Sequence, residues 1–575
     1  MKLRLKESDI KIDKKYNLTD LQELIISNRL TDKSNIEEIL NGNLELVKDL
    51  DSLKDVGKAG KLINQHMKDG SYIVNVVDYD CDGLNSGAVL DKCFRNQLEY
   101  KNVKTIPNKR KYGNGINNTI LEQVLIEHNR KPIGLFITAD HGSSDRKNIK
   151  VLRDHGIDVI VTDHHQIPKD NYPKDANVFI NNQRDDSEYS KYVSGCFVAF
   201  LVMLATYREK HSSVDISKFD DIIPHVAVTT ISDVMDLDLA LNRHMVNKGT
   251  RLINSLKYPL WSILKKTLQI TTLIDYHEIS FTIAPLINTA NRMNCEEIAF
   301  TMLTSNDNDV IYESIKKLMR ISIHKRKVQK ELLGNAMNQV KYSNNKHSAV
   351  VNLESDIAVN GIISAQLGSY FGVPSVCFIR GDNDVIKGSG RANIPRLSIL
   401  DIFKHIQQED ETIIKKFGGH EGAAGCDIYK DKFELFKELF DKKAKELINK
   451  LPDTNIVYYD IKYDSNHLSP AIVRELDYIG PYGKSWSKPA ILSSFRVKRI
   501  MNLGSLLKLN LANTNGGTFE AIYFFNRLDG ITKDNCYELL RDKKVDIIYN
   551  PTFNNFIAVD FQLNIQNIIL EKEGV

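Results

Sequence analysis

Four apolar runs in the first half of the chain end in acidic or imidazole side chains. "YIVNVVDYDCDG" ends in Asp78, Asp80 and Asp82, "IGLFITADHG" in Asp140 and His141, "DVIVTDHH" in Asp163, His164 and His165, and "VAVTTISDVMDL" in Asp233 and Asp236. Singly, each has an ordinary explanation: an aspartate after a strand is a turn or an N-cap, adjacent histidines sit on surfaces, and Asp233 would cap a helix. Their recurrence after successive runs is harder to explain in that way. Like charges a few ångströms apart cannot all stay ionised in a partly dry site unless a cation joins them. Carboxylates with imidazole suit Mn²⁺, Mg²⁺ and similar ions better than a thiolate-type zinc site. A pair of cations would need a bridging carboxylate, which gives so many aspartates a use.

Between about residues 71 and 250, "YIVNVV", "IGLFIT", "DVIVT" and "NVFI" read as strands separated by helically spaced segments, the pattern of βαβ units and a mostly parallel sheet. In such a sheet the C-terminal strand ends share one edge, so residues dozens of positions apart meet there. Residues 1–70 read as a helical, charged lead-in, with Ser34 and Glu37 as a capping box, and 71–295 as the sheet domain. Residues 296–342 contain no proline and one glycine, with Ile311, Ile315, Leu318, Val328, Leu332 and Val340 at helical intervals, and predict one long connecting helix. Residues 343–452 return to strand, helix and strand, and 453–575 carry the short strands of a small barrel or sandwich. The fold class is α/β, multidomain.

At 575 residues, with 42% hydrophobic and 26% charged side chains, the chain is long enough for several cores and is not built for disorder. A net charge of +3 neither requires nor excludes a nucleic-acid partner, because a basic groove can be balanced by an acidic site elsewhere. Seven cysteines without a C-x-x-C pair fit neither a disulfide framework nor a zinc module and point to a reducing, cytoplasmic setting. A charged N-terminus and the lack of a run of about 18 apolar residues give no sign of a signal peptide, and no membrane partner is expected.

In order along the chain, "DYDCDG", "TADHG", "TDHH" and "TTISDVMDL" followed by Asn242 and Arg243 resemble the motifs of the DHH phosphoesterase superfamily, specifically the RecJ-like single-strand DNA exonucleases. "IPNKRKYGNGI", "SGCFVAF" and "APLINTANRM" resemble further segments of the same catalytic domain. "GIISAQLGSYFGVPSV", "KGSGRA" and "KFGGHEGAAG" resemble the companion DHHA1 domain, and "ELDYIGPYGKSWSKP" the approach to an oligonucleotide-binding (OB) fold. Three departures stand out: Val77 and Asn291 where relatives commonly have glycine, and Ala392 where a second serine is common.

The resemblance implies a DHH parallel-sheet domain, a linking helix, a DHHA1 α/β domain and an OB-like β-barrel. It implies Asp78, Asp80, Asp140, His164 and Asp233 as ligands of a divalent metal, Mn²⁺ or Mg²⁺ and usually two ions, with Asp140 or Asp80 as the bridge. His165 is expected near the scissile phosphate and Asp163 to orient a histidine, while Asp82 is left to shape the turn with Gly83. Arg292, Ser389, Arg391, Gly418, Gly419 and His420 are expected to hold phosphates. In the barrel, Phe495, Lys498, Arg499, Lys508, Tyr523 and Phe525 are candidates to stack bases and track phosphates. The implied function is metal-dependent hydrolysis of single-stranded DNA, as a 5′-to-3′ exonuclease releasing mononucleotides in recombination or repair. The expected partners are single-stranded DNA and a helicase or single-strand-binding protein, and the expected state is a monomer. The alternatives are a phosphodiesterase acting on nanoRNA or cyclic dinucleotides, or a non-catalytic replication scaffold.

Overall fold

The strand Tyr72–Val77 is buried at every position, as a strand covered on both faces should be. Its side chains alternate between two cores. Ile73 and Val77 pack with the helices Val56–Lys68, Cys81–Lys92 and Gly195–His211 on one side, while Tyr72, Val74 and Val76 pack with Asn118–Arg130 and Arg146–Asp154 on the other. The sheet runs Val103–Pro107, Tyr72–Val77, Ile133–Ala139, Asp158–Asp163, Val178–Asn181, and every pairing is parallel. The three strands that end in motif residues are therefore immediate neighbours.

The computed structural model describes residues 2–6, 10, 12, 14–30, 36–41, 49–168, 170–381, 384–451, 456–503, 506–525, 530–553 and 561–570. It divides into two compact units, Met1–Leu318 with Asn455–Val575, and Met319–Thr454. In the first unit the C-terminal region forms a closed barrel. Ile491–Asn502 pairs with Leu506–Ala512 on one side and Lys544–Phe553 on the other, and Thr518–Phe524 and Phe561–Leu570 complete the ring. In the second, a five-stranded sheet runs Ile414–Gly419, Ala423–Tyr429, Val385–Arg391, Ser375–Arg380, Ala349–Asn352 around its own core.

Two readings of the sequence need revision. The stretch 296–342 is two helices, Glu296–Thr304 and Asn308–Lys341, because Asp307 takes the N–H groups of Asp309 and Val310 at 2.8 and 3.2 Å and starts a new helix. Residues 1–70 carry the expected helices, Asp20–Ser27, Ile36–Asn41 and Val56–Lys68, but are preceded by a strand, Lys2–Leu5, paired in parallel with Ile456–Tyr459. A capping box joins Thr19 and Gln22; the one expected at Ser34 and Glu37 falls outside the described residues at Ser34.

The helix Ile223–Ser232, which ends at Asp233, packs closely on Ala240–Asn254. A Cβ on Gly249 would stand 2.2 Å from the Ala227 Cβ and 3.2 Å from the Ile223 carbonyl oxygen. Gly249→Ala is therefore expected to lower the stability of the first unit by about 1–3 kcal/mol, read as a shift of the denaturant midpoint. An unchanged midpoint would show that these helices are not locked at that contact.

Candidate metal centre

The strand ends bring Asp78, Asp140 and Asp163 side by side. The Asp78 N–H donates to the Ala139 carbonyl and the Asp140 N–H to the Thr162 carbonyl, at 3.2 and 3.1 Å, so sheet register continues past the strands into the motifs. Asp140 sits at φ 64°, a left-handed conformation unusual for a residue with a side chain. Two glycines make room for this edge. A Cβ on Gly83 would stand 2.4 Å from the Asp78 carbonyl, and one on Gly195 2.3 Å from Asp140 Oδ1.

Three overlapping groups of donor atoms result, each within 4.8 Å: Asp78, Asp80 and Asp140; Asp82, His164 and Asp233; and Asp140, His164 and His165. Asp140 is common to two of them, which suits a bridging carboxylate. The His164 Nδ1–H donates to the Val193 carbonyl at 3.1 Å, which turns Nε2 toward Asp140 Oδ1 at 3.2 Å, Asp233 Oδ2 at 3.6 Å and Asp82 Oδ2 at 3.7 Å. One oxygen each of Asp78 and Asp140 is buried with no hydrogen-bond partner among the described residues. Orphaned buried carboxylate oxygens beside an inward-facing imidazole nitrogen are the donor set that a hard or borderline divalent cation requires.

Other motif residues serve as supports. Asp163 accepts from the backbone N–H groups of His164, His165 and Ser143 and from His165 Nδ1, at 2.7, 3.1, 2.9 and 2.8 Å, so it orients the histidines and has no oxygen to spare. His141 is buried against the Val76 carbonyl at 3.0 Å. Asp236 is turned away toward Lys484 and Ser485.

Asp78 and Asp80 fall in a cation group as the sequence reading expected, but Asp80 and Asp82 divide the remaining work differently. Asp80 shapes the turn: it is the N-cap of Cys81–Lys92 and accepts from the Asp82 and Gly83 N–H groups at 2.9 and 3.1 Å, while remaining in a cation group. Asp82 is buried, faces His164, and accepts from the Gly195 and Cys196 N–H groups at 2.7 and 3.0 Å, so it sits on the N-terminus of Gly195–His211. The spacing did not reveal this because the helix it meets lies more than a hundred residues downstream. Asn291, one of the departures, is also accounted for: its amide donates to Asn288 Oδ1 at 3.1 Å, and that oxygen accepts the Cys81 N–H at 3.0 Å. Arg292 closes the same helix, Ala284–Arg292.

In the second unit, Ser389 and Arg391 lie on the strand Val385–Arg391, and Arg391 Nη1 donates to Ser389 Oγ at 3.0 Å. A Cβ on Gly361, at the start of the helix Asn360–Phe371, would stand 3.0 Å from Arg391 Nη2 and 3.1 Å from Ser389 Oγ. Arginine, hydroxyl and open helix N-terminus thus converge. Gly418 aligns with Ser389 through Gly425, and His420 is in the exposed loop just beyond. In the barrel, Phe495 and Tyr523 do not stack bases: both are buried in its core, Phe495 against Phe519 and Tyr549 at 5.8 and 5.9 Å. Lys498 and Arg499 are exposed, while Lys508 is paired with Glu520 at 2.8 Å.

Charge follows geometry. Burial, and then Asp80, raise the Asp78 carboxyl from 3.8 to about 7. Burial and the neighbouring carboxylates push Asp140 and Asp233 well above the usual range. Partial desolvation of its ring resists charge on His165, which is otherwise exposed, yet the Asp163 carboxylate raises it to about 10. Burial also opposes Asp163, but His165 holds its carboxyl far below the ordinary value.

Comparison with known proteins agrees in order and extent. Residues 72–223 match the DHH family, N-terminal domain, 326–446 the DHHA1 domain, and 459–567 the RecJ OB domain. The chain is 26% identical over 590 residues to the single-stranded-DNA-specific exonuclease RecJ of Escherichia coli, covering 97% of this chain and 96% of that one. It is 25% identical over 539 residues to the RecJ of Haemophilus influenzae, covering 90% and 91%. The structure of RecJ in complex with Mn²⁺ from Thermus thermophilus superposes with a TM-score of 0.79 at 21% identity, over all of this chain and 80% of that one.

A carboxyl whose folded pKa is raised stabilises the fold below its unfolded pKa, and that contribution is lost as pH rises through the folded value. Metal-free protein is thus expected to lose stability from pH 4 toward 7 on account of Asp78, whose range is 3.8 to about 7. Mn²⁺ should flatten that slope and release protons on binding at pH 6, measured by calorimetry in buffers of different ionisation enthalpy. Binding without proton release would refute the protonated cluster. Asp82→Asn should weaken Mn²⁺ binding and cost about 1–3 kcal/mol, since an amide N–H would face a backbone N–H; unchanged affinity and unfolding midpoint would refute the role given to Asp82.

Proposed function

This chain belongs to the RecJ-like branch of the DHH/DHHA1 phosphoesterases, and from that membership we propose that it is a metal-dependent exonuclease that hydrolyses phosphodiester bonds in single-stranded DNA. The observation that carries the reading is the pair of cation groups meeting at Asp140, with buried carboxylate oxygens left open toward them. Asp78, Asp80, Asp140, His164 and Asp233 would hold two divalent ions, Mn²⁺ or Mg²⁺. Such a pair, when bound, supplies a water of lowered pKa and neutralises charge on the phosphate.

The remaining steps belong to the protein. Asp163 keeps His165 charged and fixes its ring through Nδ1, so that Nε2–H is left to donate to a phosphate oxygen; with 60% of its side chain exposed, His165 can be reached by substrate. Arg292 would contact the strand near the reacting phosphate. Ser389 and Arg391, with Gly418, Gly419 and His420, would hold a further phosphate, the arginine through its planar fork. Exposed Lys498 and Arg499 on the barrel would track the backbone, which makes binding salt-sensitive.

Degradation would run from the 5′ end to mononucleotides, in recombination or repair, by a cytoplasmic monomer working with a helicase or single-strand-binding protein. The seven free thiols are consistent with a reducing compartment, and among the described residues no helix is long and apolar enough to cross a membrane.

The test is digestion of single strands labelled at the 5′ or 3′ end, with Mn²⁺ and Mg²⁺ compared and a blunt duplex as control. Expected are loss of single strands only, early release of the 5′ label as a mononucleotide, and a drop of at least about a thousandfold in Asp140→Ala. Inert wild-type protein would refute the reading, and equal turnover of a dinucleotide and a long strand would favour the small-substrate alternative.

A further inference from the structure

Asp233 stands at the C-terminal end of Ile223–Ser232, and the chain leaves that helix through Val234 at φ 55°. A β-branched residue rarely adopts this conformation, and Val234 is 54% exposed, so its own packing does not compensate. Two backbone bonds close the turn on the helix itself, from the Val234 N–H to the Ile231 carbonyl at 3.1 Å and from the Met235 N–H to the Thr230 carbonyl at 3.0 Å. The residues just beyond are clamped by a segment distant in sequence, between the helix Pro470–Tyr478 and the first long barrel strand, Ile491–Asn502.

The contacts are specific. The Leu237 N–H donates to the Lys484 carbonyl at 2.9 Å. Asp236 accepts from Ser485 Oγ on one oxygen and pairs with Lys484 Nζ at 3.4 Å on the other. Gly483 is pressed so closely that a Cβ would stand 2.7 Å from Leu237 Cδ1 and 2.8 Å from the Tyr276 ring. The segment is itself anchored: Arg243 donates to the carbonyls of Leu237, Ile479, Gly480 and Pro481 at 3.1, 3.0, 2.8 and 3.3 Å. The buried Trp486 lies under Arg243 at 4.6 Å and under Arg29 at 5.4 Å. Arg29 in turn is paired with the buried Asp460 at 3.0 Å.

We infer that residues 483–485 form a strap that holds the strained turn after Asp233, so that Lys484 and Ser485 are positioning residues for the cation pair. The inference rests on the assignment of Asp233 as a ligand made above. A strained turn persists only where its surroundings over-determine it, and the strap adds three bonds to Asp236 and Leu237 beyond those that Asn242 and Arg243 make to their carbonyls. Without the strap the strained turn would rest on its two helix-closing bonds alone, and the adjacent Asp233 carboxylate would be held less firmly toward His164. The barrel region would then contribute to the metal centre as well as to strand binding.

The test uses the full-length, metal-free protein. Ser485→Gly removes the hydroxyl without straining the backbone, and it is combined with Lys484→Ala. In the double variant, amide exchange at residues 234–237 should quicken about tenfold while the strand Tyr72–Val77 stays protected, and Mn²⁺ affinity by calorimetry should fall about five- to tenfold. Adding Val234→Gly, which removes the strain, should restore affinity to within about twofold. Unchanged exchange and affinity would overturn the strap while leaving the ligand assignment standing. Exchange quickened throughout the first unit, with no rescue by Val234→Gly, would overturn it too, by reducing the segment to general stability. An Asp233→Asn variant that binds Mn²⁺ like the wild type would overturn the ligand assignment instead, and the inference for the cation with it.

Discussion

Carboxylates crowded around Asp140 in a buried edge repel one another, and most of the surrounding structure can be understood as what is needed to tolerate that. Burial and mutual repulsion favour the protonated forms, as the upward shifts of Asp78, Asp140 and Asp233 register. The fold answers with positive partners of two kinds: a helix N-terminus faces Asp82, and a charged imidazole sits beside Asp163. His164, donating through Nδ1 to a backbone carbonyl, turns Nε2 inward as a further donor atom for a cation. None of these neutralises the two orphaned oxygens, which is why the cluster is suited to divalent cations and poorly suited to being an internal salt-bridge network.

The parallel sheet makes this crowding possible. Three adjacent strands end at the same edge, and backbone bonds from Asp78 and Asp140 to neighbouring strands carry the register into the motifs. The same edge was legible from sequence because alternation of buried strands with helices is a strong local signal, and because acid and imidazole groups followed each strand. The OB barrel and the second α/β sheet were legible for similar reasons, aided by motif order.

What sequence did not disclose depends on contacts between distant segments. The roles of Asp80 and Asp82 follow from which of them meets the N-terminus of Gly195–His211, and no spacing within "DYDCDG" encodes that. The break at Asp307 was present in the string as a cap signal, but continuous helical periodicity on either side concealed it. The barrel aromatics Phe495 and Tyr523 illustrate the limit of composition: period-two placement puts an aromatic on one of two faces, and only barrel closure determines which face is inside.

Arg243 shows how a motif residue can serve the fold without approaching the chemistry. It stands in the segment that follows the fourth acidic motif, where a cation invites assignment to substrate phosphate. Instead its guanidinium is buried, donates through its two Nη atoms to four backbone carbonyls, leaves Nε without a partner among the described residues, and lies on Trp486. A buried arginine without a carboxylate partner is tolerable only when its N–H groups are satisfied by several acceptors. Three of those acceptors come from the approach to the barrel and one from the turn after Asp233, so the bonds that keep the guanidinium charged also tie the two regions together. Replacing such a group with lysine would keep the charge but not the planar fork, and its geometry rather than its charge explains why arginine occupies this position.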